Sequence, residues 1–163
     1  MASKFKFETT VFIRVSGKER PRAGKKRKNG KPVLFTPPNT KSSEKIIGTN
    51  CSLKMNGRSP VEKVPLEVTI IFQYAAPKYK GNSPKKSKPD LDNCIKLVLD
   101  AMNGIVYKDD NLVVSLKAKK IWGNEDKIMI TVEELDYSFQ AVQPVISDSY
   151  QSVLKRTVAT QPE

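Results

Sequence analysis

Histidine is absent from all 163 residues. That omission excludes Ser-His-Asp and Cys-His catalysis, histidine-ligated zinc or haem, and a histidine general base within the chain. Chemistry here must run on carboxylates, lysine, tyrosine, backbone groups or a bound metal. Cysteine is nearly as scarce. Cys51 and Cys94 are the only two, form no C-x-x-C pair, and cannot alone complete a four-ligand zinc site. They read as reduced thiols. No run of about 18 apolar residues occurs, so no membrane span is expected. The opening MASKFKFETTVFIRV lacks the apolar core of a secretory leader. A cytoplasmic protein with no membrane partner and no small-molecule cofactor is expected. What remains is an ordinary globular composition, 38% hydrophobic, 7% aromatic and 28% charged, in a length that suits one domain.

The charge is lopsided. The chain carries 29 Lys and Arg against 17 Asp and Glu, a net +12. Residues 1–88 hold 21 of the basic and 5 of the acidic residues, whereas residues 89–163 hold 8 and 12. Such a basic excess points to a polyanionic partner, nucleic acid before anionic lipid. Two basic runs stand out. One is Lys18 to Lys31, including Arg20, Arg22, Lys25, Lys26, Arg27 and Lys28. The other is Lys78 to Lys88, including Lys85, Lys86 and Lys88. Both contain Gly or Pro and lack apolar periodicity, so both are expected to be loops. They read either as solvated loops or as phosphate contacts with strong salt dependence. KKRK also fits a nuclear-localisation signal.

The coarse order of elements is β-α-β-α-β-β. Residues 5–15 alternate, with Phe5, Phe7, Val11, Ile13 and Val15 facing one way, as in a half-buried strand. A helix is expected from Pro38 to Leu53 and a strand over residues 66–74. Residues 90–103 place Leu91, Cys94, Ile95, Val98, Leu99 and Met102 on one apolar stripe, opened by Pro89-Asp90 and closed by Gly104. Residues 112–121 and 127–134 complete the set as a strand pair. This pattern predicts a small α+β domain over residues 1–136, with two helices on a mixed or antiparallel sheet. Residues 137–163 lose periodicity and read as a polar C-terminal tail.

The informative segment is KPDLDNCIKLVLDAMNGIVYKDD, residues 88–110. Asp92, Lys96, Asp100 and Asn103 share a polar stripe beside the apolar one. Asp90 stands at the helix start, and Asp109 and Asp110 follow before the next strand. If that last loop folds over the helix start, three or four carboxylates converge. Two carboxylates about 4 Å apart repel by about 4 kcal/mol at an effective dielectric near 20. A proton or a hard cation such as Mg²⁺ or Mn²⁺ relieves that repulsion. Such a metal activates water and neutralises charge on a phosphate. The competing reading of D-x-D at a helix start is an N-cap with a favourable dipole contact. Lys96 either meets a phosphate or bridges Asp92 and Asp100. The second Asp pair, the lysine on the polar stripe and the basic run upstream favour a metal-dependent phosphodiesterase acting on nucleic acid.

The run Pro89-Asp90-Leu91-Asp92-Asn93, with Lys96, Asp100-Ala101 and Asn103-Gly104-Ile105-Val106-Tyr107-Lys108-Asp109-Asp110, strongly resembles the RusA family of Holliday junction resolvases. An early strand, the Arg20-Pro21-Arg22 segment and Phe35-Thr36-Pro37 before a helix are similar too. The resemblance spans residues 10–134. It implies a homodimeric endodeoxyribonuclease that uses Mg²⁺ or Mn²⁺ and resolves four-way DNA junctions by paired symmetric nicks, in recombination and repair. It implies metal-ligating and catalytic roles for Asp90, Asp92 and Asp110, and a catalytic role for Lys96. Asn93, Asp100 and Asp109 match supporting positions. The basic residues of the two runs would hold the junction. The long first run and the tail after residue 136 depart from the family pattern. A nuclease for flaps or forks, and a non-catalytic binder of branched DNA, are the alternatives.

Overall fold

The computed structural model describes residues 4–19, 22–26, 32–76 and 83–135. The polar tail expected over 137–163 therefore lies outside the described residues, as do Arg20, Arg27 and Lys28. Six strands and two long helices follow in the order β1 (Lys6–Val11), β2 (Arg22–Lys26), β3 (Pro32–Phe35), α1 (Pro38–Met55), β4 (Leu66–Ala75), α2 (Leu91–Met102), β5 (Val113–Gly123) and β6 (Lys127–Glu134). The α+β class and the two helices match the sequence reading. Four strands form one mixed sheet in the order β1-β6-β4-β5. β4 and β5 are parallel, with α2 as their crossover, while β6 is antiparallel to both β4 and β1.

The first basic run corrects the expectation of a loop. β2 and β3 pair antiparallel as a separate two-stranded sheet. Period-2 reading missed them because β2, RAGKK, has scarcely an apolar residue. Cross-strand backbone bonds form a ribbon whether or not its side chains reach a core.

Alternation makes the core. Leu66, Val68, Ile70, Phe72 and Tyr74 on β4 are all buried, and Ile128, Ile130 and Val132 join them from β6. Each such side chain contributes about 1.5–3 kcal/mol by leaving water. β1 is shorter than the 5–15 alternation suggested, although Phe7, Val11 and Val15 are buried. In α2 the buried line is Cys94, Leu97, Val98, Ala101 and Met102, whereas Leu91, Ile95 and Leu99 are only partly buried. The packed face is thus rotated from the predicted stripe toward Leu97. The reason is α1, which packs on that side. Gly48 lies so close to α2 that an added Cβ would come within 3.2 Å of the Ala101 carbonyl oxygen and of Ile105 Cδ1. Both cysteines are free and buried, and burial pushes the Cys51 thiol up to about 12.

Candidate active site

The parallel β4-α2-β5 unit places the start of α2 at the C-terminal end of its strands. Leu66 is paired with Val113 at one end, and Tyr74 with Trp122 at the other. The Lys120 ammonium donates to the Pro89 carbonyl, one residue before Asp90. Asp90 therefore belongs to the Tyr74–Trp122 end. Asp110 opens the short 3₁₀ turn that leads into Val113, at the opposite end. Val113 and Lys120 are about 23 Å apart along the strand, so Asp90 and Asp110 lie roughly 20 Å apart within one chain. Tyr107 confirms the placement, because its hydroxyl donates 3.0 Å to the Leu99 carbonyl in the last turn of α2.

The acidic segment is thus divided. Asp90 and Asp92 stand together at the start of α2, and Asp109 and Asp110 stand beyond its end. Among the described residues, no group of three or more Asp, Glu, Cys or His side chains is placed to hold a metal. The convergence that depended on the Asp109–Asp110 loop folding over the helix start does not occur within one chain. Asp109 instead accepts a 3.0 Å hydrogen bond from the Asn111 amide.

Capping does not account for Asp90. It occupies the N-cap position with extended backbone, φ −70° and ψ 141°, yet its side chain makes no capping hydrogen bond. Asp90 and Asp92 are exposed and have no ion-pair or hydrogen-bond partner for their carboxylates among the described residues. The positive end of the α2 dipole favours charge there. Lys96, one turn on, is likewise exposed and unpaired among the described residues, so it does not bridge Asp92 and Asp100.

Asp100 has a different setting. It pairs with Lys18, which also lies 3.1 Å from Glu44 of α1, so one ammonium joins the two helices. Partial burial works against the Lys18 charge, but Asp100 and Glu44 outweigh it and raise the lysine above its ordinary value. The Lys18 amide also donates 3.0 Å to the Asn93 carbonyl. The chain reaches this point through Gly17 at φ +85°, where a Cβ would press on Asn93 and Pro89 at 3.3 Å. A side chain there would meet both backbone strain and crowding.

Beside Asp90 opens a cleft of about 420 Å³, lined by Arg14, Lys18, Tyr74, Lys85, Lys88 and Asn93, among others. Arg14 and Tyr74 were not legible as site residues, because each belongs to an alternating strand segment. Arg14 lies 3.5 Å from Asp126. Burial, followed by the Cys94 contact at 3.5 Å, pushes the Tyr74 phenol up, so it stays protonated at neutral pH. Lys86 and Lys88 are exposed, as phosphate contacts require. Lys85 is buried, and burial, then Lys120 and Arg14, lower its pKa. Arg22, Lys25 and Lys26 have their backbone in β2.

Among the described residues, no helix is long and apolar enough to cross a membrane. Two relatives of the chain cover different shares of it. A protein of Bacillus subtilis strain 168 named uncharacterized protein YqaN is 28% identical over 138 residues, covering 77% of this chain and 94% of its own. A protein of Lactococcus phage r1t named crossover junction endodeoxyribonuclease rusA is 37% identical over 76 residues, covering 45% of this chain and 58% of its own. Residues 13–133 match the family described as endodeoxyribonuclease RusA, a span that takes in both helices and the cleft. With that match over most of its length, the chain belongs to the RusA endodeoxyribonuclease family.

Proposed function

We propose that this protein is a metal-dependent, structure-selective endonuclease that resolves four-way DNA junctions by paired nicks. The observation that carries the reading is the pair Asp90 and Asp92. Both are exposed and free of partners among the described residues, at a helix start beside a cleft lined by four cationic side chains. The donor chemistry fits a hard cation. Mg²⁺ is commonly held by one or two carboxylates, with waters and substrate phosphate oxygens completing the shell. When bound, Mg²⁺ or Mn²⁺ supplies activation of the attacking water and neutralisation of charge at the phosphate. Asp90 and Asp92 hold it, Lys96 meets charge developing at the scissile phosphate, and Lys86, Lys88 and the basic β2–β3 ribbon grip the backbone.

Asp110 enters this site from a second copy of the chain. Its position some 20 Å along the strand places it out of reach of its own Asp90. A four-way junction has approximate two-fold symmetry, and paired nicks need two sites related by it. β5 is an edge strand, and beside Asp110 it exposes Val114 and Leu116 at 50% and 41%. That is an apolar edge for the second copy to cover.

The test is a labelled four-way junction incubated with the protein in Mg²⁺ and in EDTA, alongside Asp92→Asn. Paired nicks that need both the metal and Asp92 are the expected result. Tight binding without cutting in Mg²⁺ or Mn²⁺ would make the protein a branched-DNA binder instead.

A further inference from the structure

Lys85 stands in the second basic run, and its residue type alone suggested a phosphate contact. Its surroundings indicate otherwise. Only 6% of the residue is exposed. Its ammonium lies 4.7 Å from the centre of the Tyr74 ring and 4.8 Å from that of Trp122. Those rings meet edge to face, with centroids 6.4 Å apart and planes at 72°. The same ammonium donates to the Ser87 carbonyl at 2.9 Å, the Ser87 hydroxyl at 2.8 Å and the Lys88 carbonyl. A lysine ammonium has three protons, and all three have acceptors here. A buried cation without such partners would be several kcal/mol unfavourable. Ring faces and carbonyl dipoles stabilise this one.

What these contacts hold is the segment leading into Asp90. The Lys85 amide donates to the Lys120 carbonyl, and the Trp122 amide to the Ser83 carbonyl, so the segment lies along the end of β5. The Lys120 ammonium adds bonds to the Ser87 carbonyl at 2.9 Å and to the Pro89 carbonyl. Two lysines thus gather the carbonyls of residues 87–89 immediately before the acidic helix start.

We propose that Lys85 is a positioning residue: clamped between Tyr74 and Trp122, it fixes residues 84–89 and thereby the direction in which Asp90 faces the cleft and the placement of Asp92 beside it. The role rests on the nuclease reading for its effect on cutting, but the clamp is separately measurable. Trp122 is the single tryptophan of the chain, so its emission reports on the lysine packed against it.

The experiment compares Lys85→Met with Lys86→Ala. Three quantities are read: junction affinity without metal, single-turnover cutting at saturating protein, and Trp122 emission with exchange of the Lys85 and Trp122 amides that tie the segment to β5. For Lys85→Met, affinity should stay within about twofold while cutting falls about 10–100-fold, the range for losing a group that orients metal ligands. Its emission should shift, and exchange of the Lys85 and Trp122 amides should rise at least about tenfold as the clamp opens. Lys86→Ala should weaken binding and leave emission unchanged. Weakened binding with a wild-type cutting rate in Lys85→Met would make Lys85 a phosphate contact and overturn the proposal. So would unchanged emission and exchange. Should Lys85→Met fail to fold, Ser87→Ala removes one acceptor and leaves the lysine. It should slow cutting at unchanged affinity, and a wild-type rate with wild-type exchange would overturn the proposal. If the wild-type protein cuts no junction, the nuclease reading fails, while emission and exchange still decide whether the clamp exists.

Discussion

The two ends of α2 are built from similar residues and held in opposite ways. At its end, Asp100 is tied to Lys18 and through it to Glu44 of α1, and Tyr107 closes on the Leu99 carbonyl. At its start, Asp90 and Asp92 are left without partners among the described residues, while lysines are drawn onto the backbone just before them. A carboxylate paired to lysine and partly buried between helices stabilises the fold. Two adjacent exposed carboxylates with no counter-charge contribute little to it, and an added cation relieves their repulsion. The comparison separates acidic residues that hold the molecule from acidic residues available for chemistry, although all lie within one short segment.

The sharpest way to break that comparison is substitution at the two ends of the helix. Asp92→Asn and Asp110→Asn should each reduce junction cutting by more than about a hundredfold, as expected for loss of a charge-stabilising group at a reacting phosphate. Mixed and allowed to exchange subunits, the two inactive proteins should regain cutting. A mixed dimer can then hold one site with both wild-type residues, and gel assays of the mixture would show nicking at that site. No recovery after verified exchange would return Asp110 to its own chain. A smaller effect is expected at Asp100. Asp100→Asn should lower stability by about 1 kcal/mol, as for a partly exposed pair, with cutting per folded molecule retained. The pH dependence has a definite sign. Lys18 is raised above its ordinary 10.5, so the stabilisation from its pairing is fully present below that value. It is lost as pH rises through the raised one, and the melting difference between the wild type and Asp100→Asn should shrink in that alkaline range. The smallest effect sharpens the same contrast. Tyr107→Phe leaves the Leu99 carbonyl without its donor and should cost about 1 kcal/mol in denaturant unfolding, with cutting unchanged. A loss of cutting as large as that of Asp92→Asn in either variant would erase the distinction between the two ends.

Much of the frame was legible in the sequence. The apolar run LEVTIIFQY marked β4, and the apolar spacing after Pro89-Asp90 marked α2. The D-L-D-N run identified the family through its resemblance, and its carboxylates suggested the chemistry proposed above. The β2–β3 ribbon was not legible, because a strand of Arg, Ala, Gly and Lys has no face to alternate. Leu97 was missed as a core residue because the stripe was drawn without knowing where α1 would lie. The burial of Lys85 was not legible for the same kind of reason. A lysine in a basic run looks solvated until Tyr74 and Trp122, from two other strands, close around it.

The sequence by itself determined the two long helices and the four strands of the main sheet, the exclusion of histidine chemistry, the basic first half, and the carboxylates and lysine on which a phosphodiesterase would rely. These are local properties of composition and period, and they hold wherever the segment ends up. Tertiary structure alone decided which acids lie near one another. The parallel β4-α2-β5 crossover directs the start of α2 to one end of the strands and Asp110 to the other, so neighbours in sequence become residues roughly 20 Å apart. It also decided which charges face solvent. Burial depends on what other segments bring alongside, as Glu44 does for Lys18 and as Tyr74 and Trp122 do for Lys85.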